Sequence, residues 1–97
     1  MTTIDLTQLI TAEQKAEAEM AKQIADRKDE CRSRIFAVVD QITQMNLAAT
    51  AAAGGFTTEE MDTYRIGLQW IHDMQAAVTT GDWPVVPAGV EELAARF

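Results

Sequence analysis

The chain has 97 residues, of which 47% are hydrophobic, and it carries a net charge of −7 at pH 7. A chain of this length forms at most one domain with a small core, and its acidic charge argues against binding to nucleic acid, because phosphate contacts require a cationic surface. One cysteine, no Cys/His cluster with metal-ligand spacing and no apolar run of about 18 residues argue against a disulfide, a metal site and a membrane span.

The acidic charge is unevenly distributed. The first 34 residues hold six basic and seven acidic side chains, whereas residues 35–97 hold two basic and eight acidic ones. The second part therefore has either a solvated acidic surface or an acidic face for a basic partner. The first residues lack the basic region and long apolar stretch of a signal peptide, so we expect no export by that route and a reducing compartment that keeps Cys31 as a thiol.

Residues 1–10 precede the first signal for the start of a helix. Ile4 and Leu6 alternate with polar residues, and Leu9 and Ile10 are adjacent. This pattern favours an N-terminal arm that docks on the first helix or on another chain, with a short pairing strand as the alternative.

A long first helix is predicted over about residues 12–53, at the start of a single helical domain over residues 11–97. Thr11 has the position of an N-cap, Gln14 completes a capping box, and no Gly or Pro interrupts the chain before Gly54. The part up to Arg34 is densely charged and has few bulky apolar residues. We expect it to be an exposed helical extension, frayed at its start or stabilised by a second copy of the chain.

Apolar residues recur along this helix at alternating four- and three-residue spacing, which is typical of a heptad seam. Lys28 interrupts the pattern, and the seam ends in alanines that allow a close helix approach. The pattern predicts either a coiled-coil-like contact with another chain or an amphipathic helix in an intramolecular bundle. The seam consists of Ile24, Cys31, Ile35, Val38, Ile42, Met45, Ala49 and Ala52.

Gly54-Gly55 is predicted to end the first helix, and Thr57 with Glu60 forms a capping box for a second helix over residues 58–79. A link this short makes the two helices antiparallel neighbours. Gly67 lies one turn before Trp70, where it either gives the indole room or lets the first helix approach.

The C-terminal tail contains Trp83, Pro84 and Pro87, which favour an extended stretch before a short helix over residues 88–96. Trp83 either folds back onto the hairpin or is an exposed aromatic anchor for a partner. The predicted fold is thus all-α: an antiparallel helical hairpin with a long charged N-terminal helix and a short C-terminal helix.

No residue pattern indicates catalysis. His72 is the only histidine, and Asp73 beside it points about 100° away on a helix, so it is poorly placed to orient the imidazole. The carboxylate pairs Glu59-Glu60 and Glu91-Glu92 fit helix starts. We therefore expect a protein that is not an enzyme and that has no cofactor.

The segment from Met61 to Ile71, followed by Gly81-Asp-Trp-Pro-Val-Val-Pro, resembles the C-terminal end of small bacteriophage tail-fibre assembly proteins. In that family a helix with a Tyr-Arg pair and a following Leu leads to a Trp-Pro-x-x-Pro stretch. The matching residues here are Tyr64, Arg65, Leu68, Trp83, Pro84 and Pro87.

The resemblance implies an assembly chaperone or adaptor that binds a phage tail fibre or another tail protein. It would act in the cytoplasm of the bacterial host during assembly, or stay bound in the virion tail. The alternatives are a structural tail component that self-associates as a homo-oligomer and a small acidic inhibitor of a host protein. The seam, the segment from Met61 to Ile71 and the Trp-Pro stretch together predict a partner-binding site made of Ile24, Ile35, Val38, Ile42, Met45, Tyr64, Trp70, Trp83 and Pro84.

Overall fold

A computed structural model describes the backbone of residues 2–97 and the side chains of residues 12–97. Within these residues all regular secondary structure is helical, which confirms the predicted all-α fold class of a helical hairpin. A 3₁₀ turn, Ala77–Thr79, extends the third helix. The α-helices are α1 (Thr2–Val38), α2 (Gln41–Ala52), α3 (Thr58–Ala76) and α4 (Val90–Ala95).

The molecule is elongated because α1 extends far beyond the other helices. Its 37 residues span about 55 Å at 1.5 Å per residue, and the chain measures 73 × 21 × 17 Å. The radius of gyration is 20.4 Å, compared with about 12.5 Å for a compact domain of this length.

The predicted N-terminal arm differs from the structure, since α1 begins at Thr2 and its helical backbone continues through Thr11. This segment contains no Gly or Pro, and extending an existing helix by one residue costs much less than starting one. The predicted docking of Ile4 and Leu6 concerns side chains that are outside the described part of the structure.

The predicted helix over residues 12–53 is also wrong, because the chain forms two helices that meet at Val39 and Asp40. Asp40 has an extended backbone (φ −70°, ψ 172°) and caps α2, since its carboxylate accepts a hydrogen bond from the Thr43 N–H at 2.7 Å. The Gln44 side chain donates to the Val39 carbonyl at 3.0 Å and satisfies an acceptor at the end of α1. Aspartate favours this cap over a helix interior, so it ends one helix and begins the next.

The Asp40 cap predicts a specific response to acid. The Thr43 backbone N–H, followed by the Thr43 hydroxyl, holds the pKa of the Asp40 carboxyl below its ordinary value of 3.8. A lowered pKa stabilises the fold above the unfolded-state value, and that contribution is lost as the pH falls through the folded-state value. The melting temperature of the parent should therefore fall more steeply below about pH 4 than that of Asp40→Asn, whose neutral amide caps at every pH. Parallel melting curves from pH 5 to pH 2 would contradict this role.

The loop after α2 has the predicted form. Gly54 adopts a left-handed backbone (φ 70°), and the Gly55 N–H closes the helix end on the Thr50 carbonyl at 2.9 Å. The capping box is present in both directions, since Glu60 N–H donates to Thr57 Oγ1 at 3.1 Å and Thr57 N–H donates to Glu60 Oε1 at 2.9 Å.

The core forms where α3 packs against the second half of α1 and against α4. Arg27 joins α1 to the end of α3, because its guanidinium donates to the Thr79 carbonyl at 2.9 Å. The buried residues of the core cluster are Cys31, Ile35, Val39, Leu47, Trp70, Met74, Val78, Leu93 and Ala94.

Helix α4 packs against both α2 and α3, so it fills the open end of the hairpin. The Phe97 ring meets the Phe56 ring edge to face at 5.5 Å between centroids, and Arg96 pairs with Glu60 at 2.6 Å. A Cβ added to Gly67 would lie 3.5 Å from Val90. Gly67 therefore accommodates α4, and not Trp70 or the first helix as predicted.

Candidate partner-binding surface

The nine predicted partner-binding residues fall into three groups in the structure. Ile35 and Trp70 are core residues with exposed fractions of 6% and 3%. Their assignment to a partner surface is corrected, because the chain's own helices cover them. Val38, Tyr64, Trp83 and Pro84 are half-buried, and the first three pack against the core. Ile24, Ile42 and Met45 are exposed.

The tail residues lie on the hairpin and do not project from it. The indole N–H of Trp70 donates to the Pro84 carbonyl at 3.3 Å. The Arg34 guanidinium lies 5.5 Å from the centre of the Trp83 ring, within the range of a cation–π contact. Of the two predictions for Trp83, the structure has the folded-back arrangement, and Val85 is the exposed apolar side chain of this stretch at 89%.

The outer face of α2 is the most exposed apolar surface among the predicted site residues. Ile42 and Met45 are exposed by 71% and 65%, and Ala49 and Ala52 continue the same face at seam spacing. Leu47 occupies the inner face of α2 and is buried. The seam is buried at Ile35 in α1 but exposed at Ile42 and Met45 in α2. The helix break at Asp40 accounts for this change, because it alters the path of the chain between the two parts of the seam.

A groove of about 470 Å³ lies between α1 and α3. Its α1 wall carries the partly exposed Ile24 and Phe36 together with the cationic Lys28 and Arg32, and its α3 wall carries two apolar and two uncharged polar side chains. Phe36 lies outside the predicted seam, and nothing in its spacing indicated that it would border a groove. The α3 wall consists of Ile71, Gln75, Val78 and Thr79.

A smaller and more apolar cavity of about 190 Å³ lies among α2, α3 and α4. Leu47, Trp70 and Leu93 line it, and Gln44 and Thr63 are its polar neighbours. With no charged side chain in its lining, this space suits an apolar group and offers little to orient a polar ligand.

The described side chains do not bring catalytic groups together. His72 is exposed on α3, and residues 12–97 contain no group of three or more His, Cys, Asp or Glu side chains arranged to hold a metal ion. Burial raises the pKa of the Cys31 thiol, opposed in part by the charge of Arg32. A raised pKa disfavours the reactive thiolate at neutral pH.

No described helix is long and apolar enough to cross a lipid bilayer. Comparisons with protein-family models, with curated proteins and with solved structures found no match.

Proposed function

We propose that this chain is a non-enzymatic assembly chaperone or adaptor that binds a phage tail fibre, or another tail protein, through the outer face of α2. The observation that carries the proposal is the exposure of Ile42 and Met45 on a face that continues with small alanines. The expected partner rests on the resemblance of Tyr64-Arg65 and Trp83-Pro84 to tail-fibre assembly proteins.

The outer face of α2 has the chemistry of a binding surface. Removing an exposed Ile or Met side chain from water contributes about 1.5–3 kcal/mol for each residue, which favours contact with an apolar partner. Ala49 and Ala52 beside them let a partner helix or strand approach closely. Contiguous exposed apolar side chains on a small protein are typical of interaction sites.

The proposed mechanism is binding alone, without a chemical reaction. The outer face of α2 covers an apolar fibre surface that would otherwise aggregate, until the fibre trimerises or attaches to the tail. The interaction takes place in the cytoplasm of the bacterial host, and the protein either leaves the fibre there or stays in the virion tail.

Two other classes of function remain distinguishable by experiment. A structural tail component would be found in purified particles at a fixed stoichiometry, which quantitative mass spectrometry measures. An inhibitor of a host protein would use the acidic surface of residues 35–97 and would capture one specific basic protein from uninfected host lysate.

Co-expression with a tail fibre encoded beside this protein tests the proposal. We expect the parent to raise the yield of soluble fibre and to co-purify with it, because its apolar face shields the fibre. The double variant Ile42→Asp/Met45→Asp should do neither, since two carboxylates on this face oppose apolar contact.

Ile66→Asp is the matched control, because Ile66 is an exposed apolar residue of α3 (49% exposed) and lies outside the outer face of α2. This variant should behave like the parent. Undiminished fibre capture by the α2 double variant would show that another surface binds the fibre.

A further inference from the structure

Residues 12–26 of α1 have no cover from the other described side chains. The side chains of Ala12–Asp26, which we term the stem, are all exposed. They include Met20 at 65% and Ile24 at 42%. An isolated helix is only marginally stable in water, and most helical stability comes from packing one face against something else. The stem therefore needs a second helix packed against one of its faces to be stable in water.

The groove between α1 and α3 begins at Ile24, where the stem joins the body of the molecule. It extends along α1 to Phe36, a distance of about 18 Å at the helical rise. Its length and its apolar floor fit one helical segment of about three turns.

The charges of the first part of the stem and of the α1 segment that borders the groove are complementary; of that segment's basic side chains, Lys28 and Arg32 line the groove itself. Residues 12–20 contain three glutamates and one lysine, whereas residues 27–34 contain four basic and two acidic side chains. The two segments thus carry net charges of −2 and +2 within one helix. An antiparallel second copy brings unlike segments together, whereas a parallel copy would bring like segments together.

The seam gives the register of that pairing. Its four- and three-residue spacing, continued toward the N-terminus, passes through Glu17, Ala21, Ile24, Lys28 and Cys31. In an antiparallel pair with Ala21 opposite Ile24 of the second copy, Glu17 lies opposite Lys28. Symmetry forms the same ion pair twice, and the two polar residues that interrupt the apolar seam then neutralise each other.

We propose that two copies of this chain form an antiparallel dimer in which the stem of each copy lies in the α1–α3 groove of the other. Glu17 pairs with Lys28 of the second copy, and Met20 and Ile24 are covered at the centre. The two bodies lie at opposite ends of the paired stems, and the outer faces of both α2 helices stay free. The dimer does not depend on the identity of the partner that binds α2.

Sedimentation of charge-reversal variants of the full chain tests the arrangement. The parent should sediment as a dimer of its 10.7 kDa chain. Glu17→Lys and Lys28→Glu should each weaken the dimer by about tenfold or more, because each replaces two attractive pairs with two repulsive ones. The double variant Glu17→Lys/Lys28→Glu should dimerise like the parent, and an equal mixture of the two single variants should form heterodimers.

Lys15→Glu and Glu19→Lys are the matched controls, since they make the same charge changes on side chains directed away from the seam. Both should remain dimeric. All four positions are exposed in the single chain, so thermal melts should show that the body of each variant is folded. A monomeric parent would overturn the proposal, and so would single variants at Glu17 and Lys28 that dimerise like the parent.

Discussion

Ile35→Asp is expected to lower the free energy of unfolding of the helical body by about 3 kcal/mol or more, whereas Ile42→Asp should leave it within about 0.5 kcal/mol of the parent value. Both residues belong to the same predicted seam, yet Ile35 is 6% exposed and Ile42 is 71% exposed. A carboxylate at position 35 would have to be buried without a partner, at a cost of about 3 kcal/mol or more. That cost is a large fraction of the stability of a small domain, about 5–15 kcal/mol.

Urea denaturation followed by circular dichroism measures both values. The pair is matched, because the residue type and the substitution are the same at both positions. Similar losses of stability in the two variants would mean that the seam is one continuous buried face. That result would contradict the helix break at Asp40.

Trp70→Ala is expected to lower the free energy of unfolding by about 3–5 kcal/mol. Trp70 is 3% exposed, lines the 190 Å³ cavity and holds the tail through its hydrogen bond to the Pro84 carbonyl. Alanine would enlarge a cavity that already exists and would release Pro84.

Trp70→Phe separates the two contributions, since it keeps most of the ring and removes the indole N–H. It should cost less than Trp70→Ala, with about 1 kcal/mol from the lost hydrogen bond. Val85→Ala, at a position that is 89% exposed, is the control and should change stability by less than about 0.5 kcal/mol. A small effect of Trp70→Ala would contradict the position of Trp70 in the core.

The features of the fold that could be predicted are those that depend on near neighbours in the chain. Gly54 ends α2, and Thr57 and Glu60 cap α3, because each signal involves residues within one turn of each other. The break at Asp40 was missed, since aspartate also suits an exposed helix surface and no Gly or Pro marks the site. Its signal was an N-cap residue that follows the β-branched pair Val38-Val39.

The packing of α4 could not be predicted, because it depends on contacts between distant parts of the chain. The Asn46 side chain donates to the Phe97 carbonyl at 3.2 Å, across 51 positions of sequence. Helix α4 takes the place beside α3 that the first helix was expected to fill, and this accounts for the role of Gly67.

The partner-binding surface could likewise be predicted only in part from the sequence. Seam spacing identified Ile24, Ile42 and Met45, which are exposed, but it placed Ile35 in the same group. Periodicity reports that residues share a face, whereas the direction of that face depends on the bend at Asp40. Trp70 was assigned to the partner because a large aromatic side chain suits an interface and a core equally well.

Titration calorimetry of purified tail-fibre chains that have not yet trimerised, with this protein as the titrant, tests the role of the outer face of α2 most directly. We expect saturable binding by the parent and by Ile66→Asp, and an affinity lower by at least about tenfold for Ile42→Asp/Met45→Asp, because two apolar contacts are lost. Absence of binding by the parent, or equal affinity for the parent and the α2 double variant, would contradict the proposed surface.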